Sequence, residues 1–88
     1  MEPRPLSFVA AAGRGELRFG STEALVARVC TDSRQARLGD LFFALKGERF
    51  DAHDFLDQVA QQNVGALVVE SAKAPKDNPG CPLIVVKN

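Results

Sequence analysis

Two short stretches hold most of the side chains that could do polar chemistry at close spacing. Thr31-Asp32-Ser33-Arg34 offers two hydroxyls, a carboxylate and a guanidinium fork, and the segment KGERFDAH, Lys46 to His53, offers two cations, a permissive Gly47 and a helix start at Asp51. Cations and hydroxyls beside the unpaired N–H groups of a helix start are the parts of a local anion site. Phe50 adds a flat apolar face that could carry a planar ring. Plainer roles stand beside these. Asp32 and Ser33 suit a turn that closes a strand, and Arg34, Lys46 and Arg49 suit a solvated surface. Phe50 could equally staple against Phe55, and Asp51 is an N-cap whatever else it does.

His53, the one histidine in the chain, falls in the first turn of the expected helix. Without a nucleophile or an orienting acid in a recognisable arrangement, it reads as support rather than as a base. Cys30 and Cys81 are far apart and form no metal or redox spacing, so both read as small buried hydrophobes of a reducing cytosol, and no metal site is expected. The chain contains no paired-carboxylate, Ser-His-Asp or Cys-His constellation and no G-x-x-x-x-G-K-[ST] phosphate loop. No catalytic residue is assigned.

The elements that must position these residues follow from apolar patterning. LFFAL at Leu41 to Leu45, ALVVE at Ala66 to Glu70 and LIVV at Leu83 to Val86 are continuously apolar, which predicts strands covered on both faces. LVARVCT, Leu25 to Thr31, predicts a further strand, and ELRF, Glu16 to Phe19, a short edge strand. Ala52, Phe55, Leu56, Val59 and Ala60 form one apolar stripe, which predicts a helix of about three turns that ends at Asn63 to Gly65. Leu6 to Ala12, with prolines before it and glycines after it, predicts a short helix. The unit from Leu41 to Glu70 is then a β-α-β crossover. The link from Asp32 to Asp40 is shorter than parallel crossovers usually are, which leaves the direction of that strand pair open. The fold class is α/β, a small mixed β-sheet flanked by helices. Ligands of such sheets sit outside the carboxyl ends of the strands, where Thr31–Arg34 and Lys46–His53 both lie.

Bulk properties narrow the function classes. At 88 residues, 45% hydrophobic and 25% charged, the chain is one small globular domain, 1–88. Its formal net charge is zero, from 11 basic and 11 acidic residues, with no block of like charge, which argues against nucleic acid or a membrane surface as partner. The apolar run near the start is too short for a signal peptide or a bilayer span, so a cytoplasmic location is expected. VVKN closes the sequence directly after a buried-type strand, which leads to the expectation of a longer protein.

Thr31 to Glu70, TDSRQARLGDLFFALKGERFDAHDFLDQVAQQNVGALVVE, closely resembles the N-terminal domain of the Mur ligases of peptidoglycan synthesis. The shared pattern is D-[ST]-R, then G-D-L-F-x-A-L-x-G, then D-[GA]-H-x-F, then G-A before an apolar strand. Within the family, LKGERFDAHDF is most similar to the MurF type, which joins D-alanyl-D-alanine to UDP-N-acetylmuramoyl-tripeptide using ATP. The MurE type, which adds the third amino acid, comes second. A stand-alone nucleotide-binding or interaction module is the alternative from another class.

The resemblance implies that this domain holds the UDP moiety of the tripeptide substrate. Central and C-terminal domains of the same chain would supply ATP and magnesium chemistry, in a protein that works as a monomer, with no cofactor held by residues 1–88. Carried over by position, Ser33, Arg34, Lys46, Gly47, Arg49 and Phe50 would bind UDP, and Asp32, Asp51 and His53 would support the loops. Ala52 departs from the commoner glycine of the motif.

Overall fold

The computed structural model describes residues 2–44 and 51–87. Its elements are β1 (Arg4–Pro5), α1 (Leu6–Ala12), β2 (Glu16–Arg18), β3 (Leu25–Val26), β4 (Arg28–Cys30), β5 (Asp40–Phe43), a 3-10 turn (Ala52–Phe55), α2 (Leu56–Ala60), β6 (Ala66–Glu70), a second 3-10 turn (Ser71–Lys73) and β7 (Leu83–Val86). Strands β4 to β7 pair side by side and in parallel, with β2 antiparallel on the outer side of β7, and β1 forms a separate two-stranded antiparallel ribbon with β3. This is the mixed sheet flanked by helices that the patterning predicts.

The continuous apolar runs are explained by cover on both faces. Phe42, Leu67, Val69, Leu83 and Val85 point to the side of α2, where Leu56, Val59 and Ala60 meet them. Leu41, Ala66, Val68 and Ile84 point to the other side, against Leu6 of α1 and Val26. Side chains alternate along each strand, so a strand between two layers must be apolar at every position. Phe42, Leu67 and Leu83 are fully buried and contribute roughly 1.5–3 kcal/mol each.

Two predicted elements differ from what forms. The strand expected over residues 25–31 is broken at Ala27, whose N–H donates to Gly39 O at 3.2 Å, and the chain changes sheets there. The helix expected from Ala52 opens as a 3-10 turn, because Asp54 N–H bonds Asp51 O at 3.0 Å, and its regular α part is five residues long. It ends in similarly tight bonds from Gln62 to Val59 and from Asn63 to Ala60, with Asn63 in the left-handed region at φ 61°.

The open strand pair, β4 with β5, is parallel although only nine residues, 31–39, connect them. Two tight turns make this possible. Gln35 N–H bonds Asp32 O at 3.0 Å and Asp40 N–H bonds Arg37 O at 3.0 Å, the second turn needing a positive φ, 83°, at Gly39. The Asp40 carboxylate locks the result. Arg28 Nε donates to Oδ1 at 2.8 Å and Arg28 Nη2 to Oδ2 at 2.6 Å, a bidentate pair across the two strand starts, and Arg37 N–H donates to Oδ2 at 3.0 Å. Arg28 Nη2 also donates to Gln35 O at 3.1 Å, so one guanidinium gathers both turns.

Asp40 is almost wholly buried at 2% exposure, whereas Arg28 remains 42% exposed, so water weakens the pair's Coulomb energy without replacing its hydrogen bonds. Asp40→Ala should lower stability by about 1–3 kcal/mol, and Asp40→Asn, which keeps the shape and one acceptor, by less. Urea midpoints of the two variants check this. An Asp40→Ala midpoint equal to that of the unmodified chain would remove the pair from any role in holding the crossover.

Candidate functional site

The loop after β4 is shaped from within. Asp32 Oδ1 accepts the Arg34 backbone N–H at 2.9 Å, and its two oxygens lie 3.3 and 3.4 Å from the Arg34 guanidinium. Those bonds hold the Asp32 carboxyl below the usual carboxylate range. The Cys30 thiol donates to Asp32 O at 3.3 Å. Asp32 therefore closes the turn, as its type suggests, while the Arg34 side chain stays 84% exposed and Ser33 is buried. Among the described residues the Arg34 guanidinium meets Asp32 through long contacts, which it can transfer to an incoming anion.

Thr31, Asp32, Ser33 and Arg34 form one wall of an open hollow of about 530 Å³, and Phe55 and Gln58 form the other. Its volume suits a small polar molecule. Among the described residues, the lining carries one positive and one negative side chain, plus hydroxyls and an aromatic face. Such a lining can orient a polar ligand by hydrogen bonds and seat a flat ring against Phe55.

The second predicted cluster lies partly outside the described residues. Lys46, Gly47, Arg49 and Phe50 fall there, while Asp51 and His53 are in view. Asp51 Oδ1 accepts the His53 backbone N–H at 3.0 Å and lies 2.6 Å from His53 Nδ1. On the other side of the ring, Glu70 N–H donates to His53 Nε2 at 3.1 Å. Nε2 is thus an acceptor and Nδ1 carries the proton, which makes the ring a neutral strut between the start of the 3-10 turn and the end of β6. With both nitrogens engaged and the side chain 3% exposed, His53 has no free nitrogen for acid-base work on a ligand. Lys73 Nζ sits 3.3 Å from the buried Asp51 Oδ2, an ion pair that brings in the loop after β6.

Several residues in this arrangement escaped the sequence reading. Phe55 and Gln58 line the hollow, although Phe55 falls in the helix's apolar stripe and a glutamine on a helix normally faces only solvent. Lys73 belongs to the polar loop after β6, which has no cluster comparable to the two candidate loops, and it reaches Asp51 through the fold. The Arg28–Asp40 pair spans 12 positions and crosses two strands, so no local pattern announces it. Among the described residues no group of three metal-binding side chains comes together. Both cysteines are free and buried, and burial pushes the Cys81 thiol up to about 11.

A second depression, an apolar groove of about 580 Å³, lies on the α1 side of the sheet between Phe8, Val9, Phe43, Ile84 and Val86. It is slightly larger than the hollow at Thr31–Arg34. Its lining is mainly apolar, although Arg4, Glu70 and Lys87 belong to it, whereas polar side chains make up most of the smaller hollow, which therefore suits a polar ligand better.

Comparison with known proteins agrees with the motif pattern. A model of the Mur ligase family, described as its catalytic domain, matches residues 25–87. The chain belongs to the Mur ligase family. Among relatives of this Mur ligase chain, the UDP-N-acetylmuramoyl-tripeptide--D-alanyl-D-alanine ligase of Haemophilus influenzae is 42% identical over 70 residues, 80% of this chain and 15% of that protein. A UDP-N-acetylmuramoyl-L-alanyl-D-glutamate--2,6-diaminopimelate ligase of Cytophaga hutchinsonii is 33% identical over 69 residues, 78% of this chain and 14% of that one. A crystal structure of MurF from Acinetobacter baumannii superposes with a TM-score of 0.80 at 35% identity, over 98% of this chain and 18% of the solved chain. This Mur ligase chain thus spans less than a fifth of the length of these relatives. No described helix is long and apolar enough to cross a membrane.

The Asp51 network makes a pH-dependent prediction. Hydrogen bonds from the His53 backbone and ring, with Lys73 beside them, lower the Asp51 carboxyl from its ordinary 3.8 to about 2. A lowered folded-state value means that the charged carboxylate stabilises the fold above about pH 4, and that this contribution is lost as pH falls from about 4 towards 2. Urea midpoints measured from pH 5 to pH 2 should fall more steeply for the unmodified chain than for Asp51→Asn. Equal slopes would mean that the carboxylate charge does not hold the turn.

Proposed function

We propose that this chain is the UDP-binding N-terminal domain of an ATP-dependent amide ligase of the MurF type, acting on UDP-N-acetylmuramoyl-tripeptide and D-alanyl-D-alanine in the cytoplasm. The observation that carries the reading is the hollow built from Thr31–Arg34, Phe55 and Gln58, where the family's D-S-R motif meets the helix start that follows D-A-H. Arg34 would bind the diphosphate, exchanging its long contacts with Asp32 for phosphate oxygens. Ser33 would add hydrogen bonds and Phe55 a face for the uracil ring. Lys46, Gly47, Arg49 and Phe50 are proposed to complete the site.

Asp32, Asp51 and His53 are proposed as its supports. Their hydrogen bonds within the turn and to the end of β6 favour that role over catalysis. The amide-forming chemistry would belong to other domains of a longer, monomeric protein. There ATP would phosphorylate the tripeptide carboxylate, magnesium would offset the phosphate charge, and the dipeptide amine would displace phosphate from the acyl group. The MurE type is the second reading, favoured by the diaminopimelate ligase relative that aligns with 78% of the chain. The higher identity to the D-alanyl-D-alanine ligase, 42% against 33%, places it second.

An NMR titration of the chain with UDP, UMP and ATP tests the binding claim. UDP should shift the amide signals of Thr31–Arg34 and Phe55–Gln58, UMP should do so more weakly, and ATP should leave them in place. Arg34→Ala should weaken UDP by about tenfold, the scale of one charge-assisted contact to phosphate. Equal shifts from ATP and UDP, or UDP shifts confined to the α1 groove, would contradict the assignment.

A further inference from the structure

Gln62 follows α2 on what the sequence presents as a solvated polar face. Its side chain instead bridges to the opposite wall of the hollow. Nε2 donates to Ser33 O at 3.0 Å, across 29 positions of sequence, and a longer 3.4 Å contact ties the same nitrogen to Gln58 O. Ser33 and Gln58 both line the hollow, so one amide group spans from the loop wall to the helix wall.

Among the described residues, the other hydrogen bonds of the loop run within it or to the two strands it joins, β4 and β5. Arg34 N–H and Gln35 N–H bond Asp32, and so does the Cys30 thiol. They give the loop its shape. Those bonds do not reach α2; Ala36 packs into the core that α2 covers, and the Gln62 bond ties the Ser33 end of the loop to the end of that helix. The Ser33 carbonyl belongs to a residue only 7% exposed, where an unpaired acceptor is costly and a partner is required. Without that partner the loop would move until water reached the carbonyl, and both Ser33 and Arg34 would move with it. Small displacements of groups that orient a ligand are read directly in affinity.

We propose that Gln62 is a positioning residue for the uridine diphosphate site: by holding the Ser33 carbonyl against the end of α2, it sets the width of the hollow. The proposal rests on the function assigned above. It also makes a claim about the loop that stands without ligand.

The test uses Gln62→Ala and Gln62→Met, the latter keeping length and bulk without a donor. Three quantities are compared with the unmodified chain: UDP affinity, the urea midpoint, and amide hydrogen exchange at Arg34 and Gln35. Both variants should weaken UDP by about 3–10-fold, the loss of one half-buried hydrogen bond, and speed exchange at those two amides, with Gln62→Met keeping its urea midpoint. Unchanged UDP affinity in both variants would overturn the proposal. So would an affinity loss that appears only alongside a fallen midpoint and raised exchange throughout the chain. If the unmodified chain takes no UDP, the function above fails, and exchange alone decides Gln62. Faster exchange confined to Arg34 and Gln35 supports the positioning role, and unaltered exchange ends it.

Discussion

The structure depends on one carboxylate, that of Asp40. Parallel strands normally need a long crossover, yet β4 and β5 are joined by residues 31–39 alone. Asp40 makes the short route stable by satisfying Arg28 and the Arg37 N–H through its side chain, while its backbone carbonyl accepts Gly65 N–H at 2.7 Å. The β4–β5 turn, the end of the α2 connection and the register of the sheet's first pair therefore meet at one residue. Gly65 must stay small there, because a Cβ would lie 2.7 Å from Val26 Cγ1 and 3.2 Å from Asp40 O. The G-D and G-A parts of the family pattern are thus two halves of one contact.

That constraint has a functional consequence. A short crossover with no helix of its own follows the carboxyl end of β4, and the residues there are Thr31 to Arg34, with Thr31 and Arg34 exposed. A longer crossover helix would have packed over this end of the sheet. The loop can therefore face the 3-10 turn directly, and the turn is fixed in its own right by the Asp51, His53 and Glu70 hydrogen bonds. Two walls, each shaped by its own hydrogen bonds and joined through Gln62, then define the hollow, with Phe55 and Gln58 on one and the D-S-R loop on the other. The histidine supports this arrangement by spending both ring nitrogens on it.

Much of the fold was legible because burial on two faces leaves a strong mark. The runs at Leu41, Ala66 and Leu83 could be nothing but covered strands, and the alternation between Phe42 and Leu41 shows why. The short helix at Leu6–Ala12 and the edge strand at Glu16 also form where expected. Less legible were features decided by partners distant in sequence. Ala27 looks like a strand interior until Gly39 takes its N–H, and the first turn of α2 looks α-helical until Asp51 and Glu70 draw His53 inward. At the site, composition and spacing singled out Asp32, Ser33 and Arg34. Gln58, Gln62 and Lys73 were hidden because glutamine and lysine on a helix face or loop normally signify only solvent. The assignment of uridine diphosphate to the hollow came from the family pattern, with the local charges making it physically reasonable.

The central claim is that the hollow between the D-S-R loop and the start of α2 receives the nucleotide diphosphate. A crystal structure of the chain with UDP bound tests it most directly. The account predicts diphosphate oxygens within hydrogen-bonding distance of Arg34 and Ser33, with the uracil ring against Phe55 and the Gln62 bond to Ser33 intact. UDP seated in the α1 groove, or anywhere that leaves Thr31–Arg34 untouched, would contradict it.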